Sequence, residues 1–375
     1  GQTMKMARRV SFRLPKDPKR VLVAPAVFVA LSWFGRTTYL SSPRRPASSQ
    51  PHASRRFYRS MASTLGASIL PAFSLKKRGG TKTKATVAID ITEKEKIPVK
   101  IVTFDFTGTL GKVNGPTEDH YIRALQDVID GKKLVYDDWN FEDEQEKLKS
   151  HLFPAFVVAY KDQMRRFPNF GYGKMTTRRW WDNVIYETFS KAGLPKEVLN
   201  DVKEPVGRLL YDNFAKGDVW ILFPEVLHML DELKSNGIRM GVVSNFDERL
   251  EGILKHLGIL GYFKFVLTSV DIGIEKPSPA IFEKVMELSE TEFPEEILHV
   301  GDTIRTDVEG AMNMGMPFVF VERDGEDGAL AIVDMLKERG LQQDYLAPGG
   351  ISTNHTKCNV VRSLASVVDI VESHR

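Results

Sequence analysis

The chain of 375 residues holds a single cysteine, Cys358. One thiol excludes an internal disulfide and any zinc site built from cysteines, and it reads as a small apolar core residue. Acidic residues are nearly missing from the first quarter. Residues 1–89 carry 18 Lys+Arg against one acid, Asp17, whereas the remainder carries 34 basic and 48 acidic residues. The net charge of +3 therefore conceals a basic leader on an acidic body. That asymmetry is a targeting pattern more than a nucleic-acid footprint, so no nucleic-acid partner is expected. Long hydrophobic runs are lacking too. The longest notable one, VLVAPAVFVALSWFG at 21–35, falls short of the roughly 20 residues a membrane span needs. No stable membrane insertion of the body is expected, and there is neither an internal repeat nor a heptad run.

Residues 1–96 read as a targeting leader, rich in Ser and Arg, with SSPRRPASSQPHASRRFYRS its clearest part. Such tracts offer little periodic apolar surface to bury and stay largely disordered. RRFYRS resembles an arginine-dependent presequence cleavage site, and MASTLGASILPAFSLKKRGG resembles a plastid transit peptide. The expected destination is a mitochondrion or plastid, with the leader removed; an untargeted chain would be cytoplasmic.

From residue 97 short apolar strands alternate with amphipathic helices. VKIVTFDF, IRMGVVSN, FKFVLTS, EILHVGD and MPFVFVE are the strands, with helical stretches such as DERLEGILKHLG and PAIFEKVMELS among the last four. This alternation predicts an α/β fold, a Rossmann-like parallel sheet with helices on both faces. Between the first and second strands, a long stretch shows helical periodicity and no convincing strand. It predicts an all-helical cap domain over residues 113–222, inserted into a core of 97–112 and 223–375.

In an open parallel sheet, ligands bind at the carboxyl ends of the strands. Four such ends here are polar. The first carries Asp105 and Thr109, the second Ser244 and Asn245. A loop after the third delivers Lys276, and the fourth carries Asp302 with Asp307 five residues on. Two carboxylate positions, a lysine and a serine at successive strand ends fit a site for a phosphate and a divalent cation such as Mg²⁺. An aspartate can attack a phosphoryl group, splitting hydrolysis into two easier steps. Lys276 would neutralise the charge on both partners, and Ser244 would grip phosphoryl oxygens. His299 lies inside a predicted strand and reads as a core histidine. Trp180 and Trp181 read as cap core, and Arg165, Arg166, Arg178 and Arg179 as a solvated face.

These four clusters, in this order, resemble the motifs of the haloacid dehalogenase-like hydrolase superfamily. The inserted helical segment is similar to the cap of its members that carry one between motifs one and two. RRFPNFGYGKMTTRRWW and VVSNFDERLEGILKHLGI more narrowly resemble its rhythmically-expressed-gene-two-like branch. The resemblance implies a Mg²⁺-dependent hydrolase, most readily a phosphatase of a small phosphorylated metabolite. Asp105 would be the nucleophile, with Lys276 beside it. Thr109, Ser244, Asn245 and Lys276 would bind the phosphate. Asp105, Asp302, Asp307 and the backbone carbonyl of Thr107 would bind the metal.

One departure stands out. Where most phosphatases of this superfamily have a second aspartate two residues after the nucleophile, this chain has Thr107. That aspartate protonates the leaving oxygen and then activates water, which a threonine cannot do. Metal binding through the carbonyl is spared and proton transfer is impaired. A slow enzyme follows, or a module that binds phosphate or holds a phospho-aspartate. P-type ATPases carry a similar D-x-T-G-T stretch. Haloacid dehalogenases also lack the second aspartate, but they need no metal, and the acidic GDTIRTD segment here argues against that chemistry.

Overall fold

In the computed structural model, residues 97–323, 328–340 and 358–374 are described. The proposed leader lies outside them. The first strand, β1 (Ile101–Phe104), has all four side chains buried. A parallel strand covered on both faces must be apolar nearly throughout, and β1 shows what that arrangement does. Val102 and Phe104 enter one hydrophobic core and Ile101 enters the other, as the alternation of a strand requires.

The remaining strands are β2 (Gly111–Val113), β3 (Trp220–Leu222), β4 (Arg239–Ser244), β5 (Phe265–Thr268), β6 (Ile297–Gly301), β7 (Phe318–Val321) and β8 (Cys358–Val361). Six of them form one parallel sheet in the order β5-β4-β1-β6-β7-β8. The chain runs outward from β1 to β5 on one side, then returns to β6 on the other. The crevice at such a reversal lies beyond the carboxyl end of β1, which is where Asp105 stands. Buried Cys358 sits at the start of β8, a strand the local pattern did not announce.

Four helices follow β2: α1 (Thr117–Lys132), α2 (Phe141–Arg166), α3 (Thr177–Ala192) and α4 (Lys196–Asn213). Asn140 and Thr176 cap α2 and α3, each accepting a backbone N–H of the first turn. Tyr121, Phe156, Tyr160, Trp180, Trp181 and Phe189 fill the space between them. The two tryptophans are therefore packed inside, as expected. Arg165 and Arg166 pair with Asp162, and Arg178 pairs with Asp182.

The stretch between the first two expected strands is not purely helical. Its ends pair as an antiparallel ribbon, Gly111 opposite Leu222 and Val113 opposite Trp220. Each strand is three residues long and its partner lies over a hundred residues away, so no local periodicity reveals it.

After β3 come α5 (Val226–Ser235), α6 (Leu250–His256), α7 (Pro279–Ser289), α8 (Glu309–Met314), α9 (Gly328–Glu338) and α10 (Ser366–Ser373). Side chains of α5, α6 and α10 join the core holding Val102 and Phe104. Those of α7, α8 and α9 join the core holding Ile101. Helices thus cover both faces of the sheet.

The connection from α2 to α3 is tightly bent. Asn169 and Phe170 both adopt left-handed backbone, with φ of 49° and 53°. For a residue with a Cβ this costs roughly 1–2 kcal/mol. Asparagine tolerates it, but phenylalanine does so only because packing holds it. Phe170 stacks edgewise on Trp180, 5.2 Å between ring centres.

Candidate active site

The carboxyl end of β1 presents Asp105, which is buried. Lys276 comes from the loop between β5 and α7, and its ammonium is enclosed. It donates to Asp105 Oδ1 at 3.0 Å, to the Val243 carbonyl at 2.8 Å and to Asp307 Oδ1 at 2.6 Å. Ser244, at the end of β4, lies beside the Asp105 carboxylate and favours its ionised form. Asp302, just past β6, completes the group. One carboxylate oxygen from each of Asp105, Asp302 and Asp307 lies within 4.8 Å of the others.

Three carboxylates against one ammonium leave excess negative charge in a buried place. Burial raises the Asp302 pKa well above its ordinary value, and the charges of Asp105 and Asp307 push the same way. Asp105 is raised too, by burial first and partly offset by Lys276. This electrostatic demand for a cation is the test of fit, and hard oxygen donors are the type Mg²⁺ takes. Two further groups point the same way. The hydroxyls of Thr107 and Thr109 are buried with no hydrogen-bond partner among the described residues, a costly state unless something bound completes them.

Asp307 behaves differently from its neighbours. Burial would raise its pKa, but Lys276 and His299 outweigh that and hold it at about 2. Its Oδ1 accepts from Lys276 and from His299 Nε2 at 3.1 Å, and its Oδ2 from the Thr303 N–H at 3.0 Å. Expected as a metal ligand, it stands among the clustered carboxylates and also fixes Lys276. Its carboxyl group packs where a Cβ on Gly301 would stand. His299 is a buried core residue, as expected, yet it is also a working part. A carboxylate can only accept, so Nε2 carries the hydrogen and Nδ1 accepts from Thr103 Oγ1 at 3.0 Å. Burial lowers its pKa and keeps the ring neutral.

Asn245 was expected to touch phosphate. Its side chain clasps the Lys276 backbone at both ends. Oδ1 accepts the Lys276 N–H at 2.8 Å and Nδ2 donates to the Lys276 carbonyl at 2.9 Å. The side chain therefore positions the lysine.

One residue at the rim escaped the sequence reading. Arg323, two residues beyond β7, donates to the Gly108 carbonyl at 3.1 Å, the Thr109 carbonyl at 2.8 Å and Glu225 at 2.8 Å. It thereby pins the turn that follows Asp105. Its place at a fifth strand end was the available signal. Gly108 in that turn has a φ of 81°, and a Cβ there would overlap the Asp302 carboxylate. Only glycine meets both demands.

A parallel sheet with Asp105 at its reversal, a buried lysine and three clustered carboxylates is the arrangement of a hydrolase of α/β architecture. The chain belongs to the haloacid dehalogenase-like hydrolases, whose family model matches residues 99–315. It is similar to the zebrafish (Danio rerio) haloacid dehalogenase-like hydrolase domain-containing protein 3, 31% identical over 260 residues, 69% of this chain and 99% of that one. It is also similar to the Drosophila melanogaster rhythmically expressed gene 2 protein, 34% identical over 178 residues, 44% of this chain and 66% of that one. These likenesses place it in the rhythmically-expressed-gene-two-like branch. Among solved structures it resembles a haloacid dehalogenase-superfamily phosphatase from Thermococcus onnurineus, with a TM-score of 0.42, 20% identity, and 73% and 99% of the two chains covered.

Proposed function

We propose that the protein is a Mg²⁺-dependent phosphatase of a small phosphorylated metabolite, slowed by the threonine at 107. The observation that carries this reading is the buried group of Asp105, Asp302 and Asp307 closed around Lys276. An oxygen of Asp105 attacks phosphorus, the bond to the leaving oxygen breaks, and an aspartyl-phosphate forms; water then attacks that phosphorus and frees Asp105. Lys276 favours the ionised form of Asp105 against its burial and offsets the charge of the incoming phosphate. Ser244 and Thr109 supply hydroxyls to the phosphoryl oxygens. Asp105, Asp302, Asp307 and the Thr107 carbonyl would hold Mg²⁺, which would supply charge neutralisation between nucleophile and phosphate. The helical insert serves as the cap that shuts water out. The leaving oxygen must find its proton without a carboxyl group at 107, and this favours a second reading of the same site, a phosphate-binding or slowly turning phospho-aspartate module.

A panel of phosphate monoesters, assayed on a chain starting near residue 97, decides between them. Hydrolysis should appear with Mg²⁺ and vanish in excess chelator. Turnover unaffected by chelator, or a phospho-aspartate that accumulates without release, would overturn the phosphatase reading. Among the described residues no helix is long and apolar enough to cross a membrane. Residues 1–90 act, in the same proposal, as an organelle-targeting leader, and fused to a fluorescent reporter they should direct it to a mitochondrion or plastid. A diffuse cytosolic signal would refute that.

A further inference from the structure

The strained connection between α2 and α3 reaches the core beside the phosphate-binding end of the sheet. Asn169 Nδ2 donates to the Ser269 carbonyl at 2.9 Å. That carbonyl can only accept, so the amide orientation is settled and Oδ1 faces elsewhere. Oδ1 is buried with no hydrogen-bond partner among the described residues, on a side chain whose residue is 7% exposed. A second group shares this condition. The Tyr160 hydroxyl is buried and unpartnered, on a residue 1% exposed. Both belong to one neighbourhood. Tyr160 packs on Trp180 and Trp181 at 5.5 and 6.0 Å, and Phe170, next to Asn169, packs on the same two rings at 5.2 and 6.1 Å.

The neighbourhood is close to the chemistry. Thr268 is in register with Ser244 on the adjacent strand, and Ser269 follows it. With strands about 4.8 Å apart and consecutive Cα atoms 3.8 Å apart, Asn169 meets the core roughly 10 Å from Ser244. That is the reach of a short chain extending from a bound phosphate. The surrounding charge is unsuited to a second anion. Burial and the carboxyl groups of Glu275 and Asp247 all push the Tyr160 hydroxyl pKa up. Arg249, stacked on Trp181, is spent on Asp247 through bonds of 2.8 and 2.7 Å.

We propose that Asn169 and Tyr160 form a leaving-group subsite that takes an uncharged, hydroxyl-bearing alcohol and rejects a second anionic group. It rests on the phosphatase reading and names the substrate class for it. Asn169 Oδ1 accepts from a substrate hydroxyl, Tyr160 donates to or accepts from another, and the aromatic rings cover the carbon chain. Two buried polar atoms without partners and a left-handed phenylalanine are costs to folding. A bound alcohol satisfies both atoms.

Binding separates this proposal from the chemistry. In an Asp105→Asn background with Mg²⁺, glycerol 3-phosphate, propyl phosphate and 3-phosphoglycerate are titrated by calorimetry. Glycerol phosphate should bind about tenfold or more tighter than either competitor, the worth of one well-made hydrogen bond. Asn169→Gly keeps the left-handed backbone accessible, and it should erase most of the preference over propyl phosphate. Tyr160→Phe removes a hydroxyl that has no partner, so its Tm should be unchanged or higher while the preference falls. A purely structural role would lower the Tm instead. Equal affinities, a preference untouched by both substitutions, or no binding of any of the three would overturn the subsite. A preference for glycerol phosphate in a protein whose wild type hydrolyses no phosphate ester would uphold the subsite and sink the phosphatase reading.

Discussion

Asp105→Asn should lower turnover by at least about a thousandfold, which is roughly 4 kcal/mol of barrier. The amide keeps the shape of the carboxylate and removes its nucleophilic oxygen. Little else is disturbed, because Lys276 retains Asp307 and the Val243 carbonyl. The substitution should also leave the metal-free fold as stable or more so at neutral pH. The Asp105 pKa is raised in the folded protein above its ordinary 3.8. A carboxyl group shifted upward costs folded-state stability once pH exceeds the unfolded value, and that cost is complete above the folded pKa. Asparagine never bears it. The Tm advantage of the variant in chelator should therefore be largest at high pH and fade as pH falls towards about 4. Turnover within threefold of wild type, with unchanged circular dichroism, would end the nucleophile assignment.

Thr107→Asp should raise turnover at least tenfold, towards the lower end of what a positioned acid–base contributes. The carboxyl group would stand two residues past the nucleophile, where the family keeps its proton shuttle. Thr107 Oγ1 has no hydrogen-bond partner among the described residues, so its removal breaks nothing there. The opposing effect is electrostatic. A fourth carboxylate enters a buried group in which Asp302 is already pushed well above its ordinary pKa. In chelator the variant should melt lower than wild type. Mg²⁺ should restore it by binding the folded form. A raised pKa at 107 is no handicap to the chemistry, since a general acid must reach the leaving oxygen still protonated. The gain should be larger on alkyl phosphates than on aryl phosphates, whose leaving groups need little protonation. Turnover equal to or below wild type on every ester, with metal affinity unchanged, would mean that the shuttle comes from another element, such as the helical insert.

The parts of this site that were legible share one property. Asp105, Ser244, Lys276 and Asp302 each end or follow an apolar strand, and parallel strands buried on both faces announce themselves as local runs. Their polar tips can therefore be read from the chain in order. Asn245 and Asp307 were found by the same rule, but their bonds to Lys276 were not foreseen. At the end of a strand, sequence shows that a polar group is present and not which neighbour it meets.

What the sequence by itself determined is the α/β alternation, the helical insertion, the strand that ends in Asp105 and the absence of an acid at 107. All follow from short-range periodicity and from residue type at fixed spacing. Only the tertiary structure decided that Asp307 and Asn245 serve Lys276, that Arg323 pins the turn at Gly108 from 215 residues away, and that two ribbon strands close the base of the insert. It also decided that Asn169 and Tyr160 carry buried atoms in want of a partner. These relations depend on strand order and on which loops meet at the sheet edge, because a hydrogen bond forms between groups adjacent in space however distant they are along the chain.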